Sequence, residues 1–204
     1  MTGYYFFVPQ LHHLVYGQQP PESSQSLRLK AAPVLGKKDA ARMDTLGLGA
    51  PIPAARDEEA GDEGKGKKRG RKPPKDCAFT KGWREWEESL RACLARARAS
   101  KLGRALPYEG RVFPKDVAQA VSRAMGAETP LEGELILDKA RWDAVCALQG
   151  SELFNYKTIY AYFMKLLLLE RQASFQAETG FSQYKALYSS ILERWAASST
   201  GEST

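Results

Sequence analysis

Ile159-Tyr160-Ala161-Tyr162-Phe163-Met164-Lys165-Leu166-Leu167-Leu168-Leu169 is the stretch whose reading decides the fold. Ile159, Tyr160, Phe163, Met164 and Leu166 to Leu169 are apolar nearly all round a helical wheel, and a helix of that kind is stable in water only with protein on every side. The pattern predicts a helical bundle with this helix at its centre and with Lys165 reaching for an edge. Asn155 stands four residues before Ile159, where its side chain can cap the helix start.

Working outward, the flanking segments supply the helices that cover it. Trp83, Trp86, Leu90, Cys93, Leu94 and Ala97 recur at steps of three and four, as an amphipathic helix requires, and the i,i+4 pair Glu87 and Arg91 is expected on its wetter side. Gly103 is placed to stop it. Pro114 opens the next helix, with Val117, Val121 and Met125 as its stripe before Gly126. Thr129-Pro130-Leu131-Glu132 reads as a T-x-x-E capping box with proline at the first helical position, starting a helix that runs to about Gln149. After Gly180, Phe181, Tyr184, Leu187, Tyr188, Ile191 and Trp195 follow helical spacing and predict a helix that closes the domain.

The first fifty residues are less regular. Tyr4-Tyr5-Phe6-Phe7-Val8 is a short buried segment that periodicity leaves open between strand and helix, limited by Pro9. Residues 24–32 and 38–46 read as two short helices split by Pro33 and Gly36. The fold class is therefore mainly α, a helical bundle with a short N-terminal apolar segment and a charged insertion. Residues 1–53 form an N-terminal segment packing on the bundle, 54–76 a disordered charged linker, 77–196 the bundle, and 197–204 a disordered tail.

Charge and composition narrow the functional classes. The 204-residue chain carries 30 Lys and Arg against 24 Asp and Glu, and residues 54–76 hold eight of the basic and six of the acidic side chains with no bulky apolar residue between Ala55 and Asp76. Ordering that backbone costs about 1–2 kcal/mol per residue with nothing apolar to offset it. The longest aliphatic run, Leu166 to Leu169, is far short of the roughly 20 residues of a membrane helix, and no basic segment precedes the N-terminal apolar run, so a cytoplasmic protein is expected. Cys77, Cys93 and Cys146 are odd in number and widely spaced, which suits idle or buried thiols rather than zinc or redox work.

No motif argues for catalysis. Gly61, Gly66 and Lys67 have phosphate-loop spacing, but Lys68 stands where Ser or Thr must hold magnesium. Lys68-Arg69-Gly70-Arg71-Lys72-Pro73 resembles an AT-hook, in which arginines lie in a narrow minor groove, and makes residues 65–75 the candidate nucleic-acid contact. His12 and His13 lack a third metal ligand, and one packed and one solvated ring is the expected state. Glu132, Glu134 and Asp138 read as charges on a solvated helix face. Tyr4, Tyr5, Trp83, Trp86, Trp142, Arg171 and Trp195 are the candidate docking or core positions. No catalytic residue, cofactor, metal or small-molecule substrate is expected.

Four blocks together resemble an uncharacterised bacterial protein family encoded in V-type ATPase operons. They are Tyr4-Tyr5-Phe6-Phe7-Val8, the 83–91 helix running into Arg98-Ala99-Ser100-Lys101-Leu102-Gly103, Pro130-Leu131-Glu132 with Leu137-Asp138 and Arg141-Trp142, and Ala161-Tyr162 onward to Arg171. The 130–142 block is also broadly similar to segments of the V-type C protein, the all-helical socket between central stalk and membrane rotor. The resemblance implies a non-catalytic accessory or stalk component, partnered by the stalk and rotor proteins of the ATPase and held peripherally at the inner membrane. The alternative is a nucleic-acid-associated regulator using the hook-like run.

Overall fold

The run left open at the N-terminus is helical. In the computed structural model α1 covers Gly3–Phe7, and a 3-10 turn, Val8–Gln10, follows it around Pro9. The structure describes residues 3–48, 76–105, 107–108, 110–175, 185 and 187–191. The hook-like run, the phosphate-loop glycines, Trp195, the C-terminal tail and all of the charged linker but Asp76 lie outside them.

The remaining helices are α2 (Ser24–Met43), α3 (Ala78–Lys101), α4 (Lys115–Met125), α5 (Pro130–Gln149) and α6 (Tyr156–Ala173), with no strand among the described residues. The fold is thus mainly α, as expected. The two short helices predicted in the N-terminal segment meet across a kink at Gly36, whose φ of 68° only glycine adopts without strain. Pro33 is accommodated inside the first of them, so Gly36 alone makes the break.

Local signals explain most boundaries. Gly103, at φ 62°, ends α3 in a Schellman motif: Arg104 N–H donates to the Ala99 carbonyl at 3.0 Å and Gly103 N–H to that of Ser100 at 3.1 Å. At α5, Thr129 Oγ1 accepts from Glu132 N–H at 3.1 Å. The capping box is completed differently from the expectation, because the Glu132 carboxylate accepts from the N–H of Glu128, one residue earlier than the cap. Asn155 Oδ1 accepts from Thr158 N–H at 3.2 Å and caps α6 as its position suggested.

Two compact units divide the chain, Met1–Glu170 and Arg171–Thr204. In the first, α6 is the central helix: Ile159, Tyr160, Met164, Leu166, Leu168 and Leu169 are fully enclosed. Ile159, Tyr160, Met164 and Leu166 share a cluster with Leu27, Ala31 and Leu35 of α2, Phe79 and Trp83 of α3, and Val145 of α5, while Leu168 and Leu169 pack with Trp142 of α5. Lys165 escapes to the edge, donating to Gln149 Oε1 at 3.2 Å with its ammonium over the Trp142 ring. Glu170 reaches α2, where its carboxylate accepts from both the N–H and the hydroxyl of Ser24, at 2.6 and 2.7 Å. A second cluster joins Leu90, Cys93 and Leu94 of α3 to Val117 and Val121 of α4 and Leu137 of α5.

In the second unit α6 ends at Ala173. Of the helix predicted beyond Gly180, residues 185 and 187–191 are described and helical, with Leu187, Tyr188 and Ile191 exposed. At those three positions the apolar stripe faces solvent, so helical spacing there did not mean burial.

Candidate functional site

α3 and α5 run antiparallel, since Gly82 lies against Leu148 near one end of the pair and Glu87 meets Arg141 farther along. The Gly82 position is close enough that a Cβ there would come within 2.7 Å of Leu148 Cδ2. Between the two helices lies a buried ion network. Arg141 Nε is 3.3 Å from Glu87 Oε2, Arg141 Nη1 donates to Asp138 Oδ1 at 2.8 Å, and Arg91 Nε approaches Glu87 Oε1 at 3.5 Å. Two sequence expectations are corrected here. Glu87 and Asp138 are expected from their spacing to face solvent, and both are buried because Arg141 supplies a cation at each carboxylate. Burial opposes the Arg141 charge, but the carboxylates of Glu87 and Asp138 outweigh it and hold its pKa above the ordinary guanidinium value.

The tryptophans frame this network. Trp83 is buried and stacks on Trp86, with ring centroids 5.8 Å apart, while Trp86 Nε1 donates to Asp116 at 2.8 Å and so ties α3 to α4. Trp142 is buried edge-on to Tyr16. These three side chains are core and cross-braces between helices rather than exposed anchors. Tyr4 is half-buried against the main core. Arg171 belongs to the second unit, where its guanidinium lies over Phe175.

Tyr5 is different. It is 62% exposed and stacks on Phe154, centroids 4.9 Å apart. Phe6 beside it is 73% exposed, and in the α5–α6 turn Leu153 and Phe154 are 56% and 43% exposed. The Tyr5–Phe154 stack, with Phe6 and Leu153 exposed beside it in sequence, puts four large exposed apolar side chains on two neighbouring segments, the kind of surface that marks an interaction site. Its base is well held: Gly3 lies against Val34 of α2, and Gly150, at φ 70°, turns the chain out of α5 into Leu153 and Phe154. Sequence reading placed Phe6 in a buried run and passed over Leu153 and Phe154. Their signal was two large apolar residues in a turn bounded by Gly150 and the α6 cap Asn155.

The other candidates do not converge. His12 and His13 are both exposed, which corrects the expectation of one packed ring. No group of three or more metal-ligating side chains occurs among the described residues. Cys77, Cys93 and Cys146 are free thiols, half-buried, buried and exposed in turn. No helix among the described residues is long and apolar enough to cross a membrane. Lys68, Arg69, Gly70, Arg71 and Lys72 lie outside the described residues. Compared with protein-family models, curated proteins and solved structures, the chain matches none of them.

Proposed function

We propose that the protein is a non-catalytic accessory or central-stalk component of a bacterial V-type ATPase, similar in role to the V-type C protein, connecting the soluble head and stalk to the membrane rotor. The observation that carries this reading is the exposed patch of Tyr5, Phe6, Leu153 and Phe154 on an all-helical body. A connector needs apolar anchors outside its core and a frame that holds them in place. The buried network supports the same reading, because Glu87 comes from one block of the resemblance and Asp138 and Arg141 from another, and together they join α3 to α5.

The test is co-purification. The ATPase is isolated from native membranes of cells carrying the untagged wild-type chain, and then from cells carrying Tyr5→Ser with Phe6→Ser. The wild-type chain is expected in the complex and the doubly substituted chain is expected to be lost from it. A deletion strain whose head, stalk and rotor assemble and pump normally would rule the reading out.

A further inference from the structure

Away from the aromatic patch, towards the other end of the α3–α5 pair, α3 and α4 enclose a groove of about 590 Å³. Ala97, Ala118, Val121 and Met125 line it with apolar surface, Arg96 contributes the charged wall, and Ser122 stands at its exposed margin. The eleven residues of α4 span about 16 Å, room for about three turns of a helix laid along them.

The charge around this groove is one-sided. Residues 91–126 contain eight Lys or Arg and two acidic residues, Glu109 and Asp116; Arg91 and Arg111 are paired with Glu87 and Glu88 just outside that stretch, which still leaves a surplus of four basic side chains. Arg96 is held in place, with its guanidinium 4.6 Å from the Phe113 ring centroid and Nη1 donating to the Arg111 carbonyl at 3.1 Å. Asp116 is already engaged by Trp86. Lys101, one helical turn from Ala97, and Arg123, one turn from the groove-lining Gly126, are both exposed.

We infer that this groove is a docking site for an acidic amphipathic helix of a partner protein, whose apolar face fills the space between α3 and α4 while its carboxylates meet the Arg and Lys rim. Helix-in-groove recognition needs both halves of that arrangement, apolar anchors at helical spacing and flanking charge of opposite sign. A second copy of this chain is disfavoured as the occupant, because it carries the same net positive charge of +6. Nucleic acid would satisfy the rim and leave the apolar floor empty. The inference stands on the groove and its charge alone and is independent of the ATPase reading.

The probe is a displayed library of helix-forming peptides of about 15 residues, four turns, with all positions randomised, selected against the full-length protein. The expected consensus has Leu, Ile, Met or Phe at i, i+3 or i+4, and i+7, with Asp and Glu between them. An enriched peptide is then measured against three proteins whose helicity is first matched by circular dichroism. Ser122→Trp fills the groove and keeps the rim, while Lys101→Glu with Arg123→Glu reverses the rim and keeps the groove. Each is expected to weaken binding roughly tenfold or more relative to wild type, and raised salt to weaken wild-type binding. The inference is overturned if no peptide is enriched, if the consensus lacks the apolar spacing or the acidic residues, or if either Ser122→Trp or the Lys101→Glu, Arg123→Glu variant binds like wild type. Tighter competition by duplex DNA or by phosphatidylserine vesicles than by a fresh portion of the selected peptide would also overturn it, in favour of a nucleic-acid or lipid surface.

Discussion

Arg141 sits 3.3 Å from Glu87, a residue 54 positions earlier in the chain, and both side chains are buried between α3 and α5. Each carboxylate and guanidinium there has lost most of its water, so the contact is favourable only while its members are present together. Removing one partner of such a network leaves an uncompensated buried charge, at a cost of about 3–5 kcal/mol, whereas replacing its buried members, here Glu87, Asp138 and Arg141, by apolar groups of similar volume is often neutral and leaves the part-exposed Arg91 to solvent. Arg141→Ala is therefore expected to lower unfolding stability by about that amount. Arg141→Met combined with Glu87→Leu and Asp138→Leu should recover most of it. Urea unfolding of the single and triple variants checks this, and a triple variant no more stable than Arg141→Ala would contradict it.

The central helix yields a prediction about neighbours. Leu166 is enclosed on every side, while Leu167, next to it in sequence, is only half-buried. Truncating an enclosed leucine removes its transfer energy and leaves a cavity, about 2–5 kcal/mol in all, and the cost is smaller where solvent or neighbours can fill the gap. Leu166→Ala should be markedly less stable than Leu167→Ala in thermal unfolding. Equal losses would mean that α6 is turned differently in its socket.

Alkaline pH should expose the tyrosines of α6. Burial first, and then the Glu22 carboxylate, pushes the Tyr162 phenol from its ordinary 10.0 up to about 12, and burial and Asp39 raise Tyr160 as well. A phenol that holds its proton more tightly in the folded state contributes stability that is fully present below pH 10 and is lost as pH rises through about 12. Tyr162→Phe should therefore flatten the decline in unfolding stability between those two values. An unchanged slope in the Phe variant would place the loss elsewhere.

The aromatic patch separates folding from docking. Phe6 is 73% exposed, and surface substitutions away from caps, cavities and charges change stability by about 0.5 kcal/mol or less. Phe6→Ser should leave the melting temperature nearly unchanged while reducing recovery of the chain with the proposed V-type ATPase partners. A large drop in melting temperature would show that Phe6 belongs to the core.

Much of the helical layout was legible because its causes are local. Gly103, Thr129, Asn155 and Gly36 act through their own backbone or a bond to a residue three positions away, and each is where the chain starts, stops or bends. The departures are equally local in origin. The Glu132 side chain had two N–H groups within reach and took that of Glu128, and Pro33 fits inside a helix that a proline was expected to break. Leu187, Tyr188 and Ile191 have helical spacing and are helical, but spacing alone does not bring a partner to cover them.

By itself the sequence determined that the protein is helical, that residues 159–169 form its central helix, and that the chain has no apolar stretch long enough for a membrane helix. Periodicity and capping settle those points, because they depend on which residues lie three or four positions apart. Only the tertiary structure decided the environment of each polar side chain. Glu87 and Asp138 look like solvated charges until α5 brings Arg141 between them, and Tyr5 looks like core until Phe154 meets it on the outside. Arg96 comes to wall a groove only when α4 folds back along α3. Burial, charge pairing and exposure are sums over neighbours distant in sequence, and no window along the chain contains them.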